Sequence, residues 1–228
     1  MLYTEEAVRA NIRTREGRRV FFLGSGDQLT SGARDYLQRE RIDIRPAQQA
    51  PIPRYPRLDG GYFEEKPEHM TQLVGETLES KAHPRIRFRG QMDSLQAELI
   101  LCAVHVPDLG SELEELLRYT QTILRCEVLG EAFTQSALCG LTEQEQRQRS
   151  QLPQQFYGQP HFMPAPADGP GIAWLNRLRT TAREAEIAAV EAFTDRDGNP
   201  TRTDLLRAMN RLSSMIYILM IRKKRDGK

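Results

Sequence analysis

Cysteine is scarce in this chain. There are three in 228 residues, Cys102, Cys126 and Cys139, and none stands in a C-x-x-C spacing. Cys102 and Cys126 fall within apolar helical patterns, so buried free thiols are expected. The four histidines, His69, His83, His105 and His161, are scattered without metal-ligand spacing, and no structural zinc or iron site is expected. Net charge is also lacking: 32 basic residues face 31 acidic ones, for +1 overall. That balance argues against a nucleic-acid surface as the main business of the protein. No apolar run approaches the ~20 residues of a membrane span, and the N-terminal stretch has no signal-peptide core. A cytoplasmic protein with no membrane partner is expected.

What the chain does have is two long helical patterns near its end, residues 171–195 and 201–224. On the first, Arg179, Arg183 and Glu186 are spaced i, i+4, i+7 and share one face. On the second, Asn210, Ser213, Ser214 and Tyr217 fall at i, i+3, i+4, i+7 and make a polar stripe on an otherwise apolar helix. Unpaired buried polar groups cost on the order of 1–3 kcal/mol each, so this stripe needs partners. Neighbouring helices would supply them, and so would a ligand.

The remainder sorts into an N-terminal α/β segment, a linker and a helical region. In residues 1–45, Val20 to Leu23 reads as a strand and Gly24 to Asp27 as a turn. Thr30 caps a helix to about Glu40, and Ile42 to Ile44 reads as a second strand. The Gly-Ser-Gly-Asp turn is a poor phosphate loop, because Leu29 stands where a third glycine would be. Residues 46–66 carry four prolines and a Gly-Gly pair and read as an extended linker between domains. In residues 67–225 a helix is expected from near Gln91, with Asp93 in its first turn, until Pro107 ends it. Ser111 with Glu114, and Thr142 with Glu145, read as capping boxes. The first opens a long helix to about Gly130, the second a short, polar, exposed one. Residues 152–170 read as a long loop holding Phe156, Tyr157, His161 and Phe162, whose aromatics either line a flat ligand or simply pack. The Asp195 to Asn199 segment fails as a calcium loop, since Pro200 and Leu206 occupy its glycine and glutamate positions. Four helices of 15 residues or more predict a mainly α fold, an antiparallel helix bundle.

Four stretches, in order, resemble the EutT-type corrinoid adenosyltransferases, relatives of the PduO-type enzymes. They are TEEAVRANIRTREG with LTSGARDYLQRERIDI, ESKAHPRIRFRGQMDSLQAEL, FMPAPADGPGIAWLNRLRTTAREAE, and AMNRLSSMIYILMIR. The resemblance implies a five-helix bundle, usually oligomeric, with the nucleotide near subunit contacts and a trimer favoured over a dimer. It implies transfer of the 5′-deoxyadenosyl group of ATP to cob(I)alamin, with magnesium as the companion of ATP and cobalamin as substrate. By the same resemblance Lys81 and Arg183 meet the ATP phosphates, Thr71 belongs to the phosphate loop, and Asn210 and Glu186 lie at the nucleotide. Asp93 and Arg179 match a salt bridge across the subunit interface near the corrinoid. Phe162 matches the phenylalanine that fills the lower cobalt face. A role in ethanolamine utilisation follows, with a reductase and an adenosylcobalamin-dependent lyase as partners and a bacterial microcompartment as an alternative location.

The chain also departs from its kin. The His and CC-x-x-C metal cluster of EutT-type chains is absent, since no cysteine precedes Cys102. The phosphate loop keeps only its Thr71 to Gly75 end, with Glu68-His69 replacing the glycine-aspartate start. Ser214 stands where PduO-type chains have aspartate, and Glu184 where they have a second arginine. Two other readings compete with the enzyme: a protein that holds and delivers adenosylcobalamin without making it, and an interaction protein that docks through residues 1–45.

Overall fold

The structure, a computed structural model, describes residues 1–15, 18–47, 55–58, 60–63 and 65–227. Of the expected linker over 46–66, residues 48–54, 59 and 64 lie outside the described residues. The chain divides into two compact units, Met1–Arg54 with Phe63–Glu65, and Tyr55–Tyr62 with Lys66–Lys228.

The first unit contains β1 (Leu2–Tyr3), α1 (Glu5–Ala10), β2 (Arg13–Arg15), β3 (Arg18–Leu23), β4 (Gln28–Leu29), α2 (Ser31–Arg39) and β5 (Asp43–Pro46). Strand β3 is central, antiparallel to β2 and parallel to β5. Parallel neighbours need a crossover, and α2 supplies it. The Thr30 hydroxyl caps α2 by accepting the Ala33 N–H at 3.2 Å. Val8, Phe21, Ala33, Leu37 and Ile42 form its small core. The Gly24 to Asp27 segment is a turn filled by its own side chain. The Asp27 carboxylate accepts the Gly24 N–H at 3.1 Å and the chain's amino terminus at 2.7 Å. Those two donors hold the Asp27 carboxyl below the usual carboxylate range.

In the second unit, past the short strands β6 (Tyr55–Pro56) and β7 (Tyr62–Phe63), β8 (Met70–Val74) and β9 (Thr77–Ser80) form an antiparallel hairpin. Its turn passes through Gly75 at φ +54, a left-handed conformation that glycine tolerates at little cost. Then come α3 (Pro84–His105), α4 (Gly110–Leu129), a second hairpin of β10 (Ala137–Leu138) and β11 (Leu141–Thr142), α5 (Glu143–Gln151), α6 (Pro153–Tyr157), α7 (Gly169–Ala192) and α8 (Thr203–Asp226). The four long helices pack as antiparallel neighbours. Arg87 near the start of α3 reaches Glu191 at the end of α7 at 3.0 Å, and Arg222 at the end of α8 reaches Glu112 at the start of α4 at 3.0 Å. Leu95, Leu99, Leu113, Leu116, Ile123, Leu175, Leu178, Leu212 and Ile216 lie in their common core, fully out of water. The fold is mainly α, as the periodicity predicts.

Three local expectations change. The helix expected from near Gln91 starts earlier, at Pro84, because proline suits the first helical position and His83 caps it, its Nδ1 accepting the Arg85 N–H at 3.2 Å. Ser111 does not cap α4, which begins at Gly110 directly after a 3-10 turn over Pro107–Leu109, so the Ser111 hydroxyl donates to Glu112 at 2.8 Å instead. The 152–170 loop contains α6 and a 3-10 turn over Pro166–Asp168. The Thr142–Glu145 capping box forms as predicted. The Asp195 turn also forms, the Asp195 carboxylate accepting the N–H groups of Asp197 and Asn199 at 2.9 and 2.8 Å.

Candidate functional site

Helix α7 buries Leu178, Ala182, Ala185 and Ala189 in the bundle, and this turns Arg179, Arg183 and Glu186 outward. Helix α8 buries Met209, Leu212, Met215 and Ile216, which brings its polar stripe to the same side. Helix α5 packs against α8 as well and contributes Arg147, Ser150 and Gln151, an i, i+3, i+4 set. Together these residues line one open cleft of about 510 Å³.

The cleft is organised around Glu186. Its Oε1 accepts from Asn210 Nδ2 at 2.8 Å and its Oε2 from the Ser213 hydroxyl at 3.0 Å. The other end of the Asn210 amide accepts a hydrogen bond from Arg211, whose guanidinium also reaches the Glu143 carbonyl on α5 at 3.4 Å. One hydrogen-bonded chain thus crosses α7, α8 and α5. Arg179 is fixed by Asn176 Oδ1 at 2.9 Å. The Arg183 side chain has no hydrogen-bond or ion-pair partner among the described residues. Four guanidinium groups, Arg147, Arg179, Arg183 and Arg211, face this space against one carboxylate, Glu186. Such a cleft suits a polyanion, because fixed cations with little competing charge attract several oxyanions at once.

At the rim, Tyr217 joins α8 to the loop before α7. His161 Nδ1 lies 2.7 Å from the Tyr217 hydroxyl and His161 Nε2 3.2 Å from the Gln151 carbonyl. The two rings stack at 5.7 Å between centroids. Burial pushes the Tyr217 phenol up, with the Phe162 backbone and the Arg179 charge acting the other way. Phe162 is half-buried against the bundle core, with the Lys224 ammonium 5.5 Å from its ring centroid, and it does not line the cleft.

Of the residues singled out from the sequence, Arg179, Arg183, Glu186 and Asn210 come together here. Thr71, Lys81 and Asp93 do not. Thr71 lies on β8 paired with Glu79, Lys81 is exposed just past β9 with its N–H on the His69 carbonyl at 2.9 Å, and Asp93 is exposed on α3. Arg147, Ser150 and Gln151 were hidden in a helix read only as polar and exposed; their common face was the available signal. The clamp that holds the β8–β9 hairpin was also missed. Glu127, fully buried on α4, takes Arg85 Nε and Arg89 Nε at 2.6 Å each. Arg89 goes on to the Gln72 and Leu73 carbonyls at 3.3 and 2.7 Å. Among the described residues no group of three or more His, Cys, Asp or Glu side chains is placed to hold a metal ion.

Residues 61–223 match the model of a family described as cobalamin adenosyltransferase, a segment that includes every residue lining the cleft. Two relatives named corrinoid adenosyltransferase EutT are similar to this chain. The protein of Escherichia coli is 29% identical and that of Salmonella typhimurium 28% identical, each over an alignment of 242 residues covering 96% of this chain and 90% of the relative. No solved structure gives a significant match. With the match extending from before the β8–β9 hairpin to the last turn of α8, the chain belongs to the cobalamin adenosyltransferase family.

Proposed function

We propose that the protein transfers the 5′-deoxyadenosyl group of ATP to cob(I)alamin, giving adenosylcobalamin and triphosphate. The observation that carries this reading is the convergence of Arg179, Arg183, Glu186 and Asn210 in one cationic cleft within the family-matched segment. The Co(I) electron pair attacks C5′ of ATP. The cobalt–carbon bond forms as the C5′–O bond breaks, and that bond's electron pair leaves with the triphosphate. No side chain is needed to move a proton, so the protein's task is alignment and stabilisation of charge on the leaving group. Arg183, whose side chain has no partner among the described residues, would bond the triphosphate oxygens. Glu186 and Asn210, locked together, hold the nucleotide between α7 and α8. Magnesium enters with ATP. Glu186, Ser213 and Ser214 offer the hard oxygen donors that suit it beside phosphate, where it would neutralise charge. Phe162 would cover the lower cobalt face with bulk and no ligating atom.

Thr71, Lys81 and Asp93 lie outside the cleft of their own chain, so their roles require a neighbouring protomer. A homo-oligomer, a trimer before a dimer, would bring Asp93 to Arg179. Helix α3 exposes Ile100, Leu101 and Val104 near its end, and α7 exposes Ile187 and Val190, apolar side chains that association would cover. The EutT name of the relatives supports service to ethanolamine utilisation, in the cytoplasm or a bacterial microcompartment, with a reductase upstream and an adenosylcobalamin-dependent lyase downstream.

The test is a single-turnover assay. Protein, chemically reduced cob(I)alamin, Mg²⁺ and ATP are mixed without oxygen, and the cobalt–carbon bond is followed by its visible spectrum. Product from the wild type, and at least a hundredfold less from Arg183→Ala, is expected. No product, with tight retention of added adenosylcobalamin, would replace the enzyme by a carrier.

A further inference from the structure

We infer that Arg147 and Arg211, from α5 and α8, are triphosphate-binding residues that complete a clamp begun by Arg183 on α7; this rests on the adenosyltransferase reading of the cleft. The arginines of α5 divide by face. Arg149 is taken up by Glu145 at 3.2 Å and lies over the Phe156 ring at 5.6 Å. Arg147, two residues earlier and so about 200° round the helix, lines the cleft, and its guanidinium has no hydrogen-bond or ion-pair partner among the described residues. An arginine left unpaired on a short helix whose other charges are paired is a cation held for something outside the chain.

Arg211 is held differently. Its guanidinium is bonded by the Asn210 carbonyl oxygen and the Glu143 backbone carbonyl, both neutral acceptors, so its charge stays uncompensated while its position is fixed. Asn210 is itself fixed by Glu186. The chain Glu186–Asn210–Arg211 thus carries orientation from α7 to a cation on α8 without giving that cation a counter-ion. The chemistry of the ligand follows. Donors on three helices, none satisfied by a carboxylate, call for an extended anion with many oxygens, and the triphosphate released by this reaction is such an anion. A group that meets it only as it leaves would stabilise the transition state more than bound ATP.

The experiment titrates inorganic tripolyphosphate into the full-length protein by calorimetry, independently of turnover. Arg147→Gln and Arg211→Gln are each expected to weaken binding about tenfold, the size of one lost charge-assisted hydrogen bond. Arg147→Lys should restore part of the loss, and Arg118→Gln on the outer face of α4 should match the wild type. In turnover, the glutamine variants should raise the KM for ATP or lower kcat, and leave the KM for the corrinoid unchanged. Equal tripolyphosphate affinity in wild type and Arg147→Gln, or a raised corrinoid KM alone, overturns the inference. A wild type that binds tripolyphosphate through these arginines yet forms no adenosylcobalamin sustains the clamp and sinks only the assigned reaction.

Discussion

Glu127 is the residue whose neutralisation should cost the fold most for the fewest atoms changed. Its carboxylate is fully buried, whereas Arg85 and Arg89 keep 25% and 18% of their side chains exposed. Both arginines sit in the first turns of α3, where a positive charge opposes that helix's own dipole, and Glu127 sits in the last turn of α4, where a negative charge does the same. The antiparallel packing of α3 on α4 reverses both penalties, because each charge faces the favourable end of the neighbouring helix. Glu127→Gln keeps the shape, removes the charge and leaves two half-buried guanidiniums without a counter-ion. Removing one partner of a buried pair costs about 3–5 kcal/mol, and the amide oxygen still accepts one bond, so about 3 kcal/mol is expected. At about 2–4 °C per kcal/mol for a chain of this size, the midpoint of thermal unfolding should fall by about 6–12 °C. The exposed pair Arg87–Glu191 is the internal control, since Glu191→Gln should cost less than about 1 kcal/mol. Hydrogen exchange should also quicken in β8 and β9, because Arg89 connects Glu127 to the Gln72 and Leu73 carbonyls. A Glu127→Gln midpoint within about 2 °C of the wild type would refute this account of the clamp.

Two further outcomes are expected. The Asp204 carboxyl is pulled down to about 2 from 3.8, chiefly by its hydrogen bonds with Arg202, against the opposing effect of burial and with help from the Phe133 N–H. Its folded value is depressed, so its stabilisation is complete above the unfolded value and is lost as pH falls from about 4 through 2. A loss of about 1–2 kcal/mol over that window, discounted for partial exposure, should appear in acid titrations of the wild type and be missing from Asp204→Asn. Tyr217→Phe removes the hydroxyl that binds His161 Nδ1. About 1 kcal/mol of local stability should go with it, read as roughly fivefold faster proteolysis within 152–168, and unchanged cleavage there would deny the Tyr217 hydroxyl its role in holding the loop.

Local periodicity and cap chemistry explain what was legible beforehand. The i, i+4, i+7 arginines and glutamate of α7 and the polar stripe of α8 could be read as faces, and those faces do meet in the cleft. The Thr30 and Thr142 caps were equally plain, since each is a local bond between a hydroxyl and an N–H three residues on. Glu127 was not legible. Its partners lie 42 and 38 residues away, and a glutamate inside an amphipathic helix gives no sign that two arginines from another helix will close on it. Pro84 misled because a polar neighbourhood obscured its fitness for the first position of a helix. Ser111 misled in the opposite sense: a good capping pattern was overridden by a helix already running from Gly110.

The same contrast separates the two kinds of charge in the bundle. At Glu127 opposite charges are packed together and both guanidiniums bond the same carboxylate, so the arrangement serves the fold. In the cleft the pairing is withheld. Glu186 spends its two oxygens on neutral groups, Asn210 and Ser213, rather than on any of the four arginines beside it. Had Arg183 or Arg147 taken that carboxylate, the free protein would gain an ordinary exposed ion pair, worth about 1 kcal/mol or less, and an incoming polyphosphate would have to break it. Keeping the carboxylate occupied by neutral donors forgoes that small gain and leaves the cations available, three of them (Arg179, Arg183 and Arg211) carried on helices whose opposite faces are locked in the core. On the proposed reading, the unpaired charge is therefore itself a structural signal of where the polyphosphate would bind.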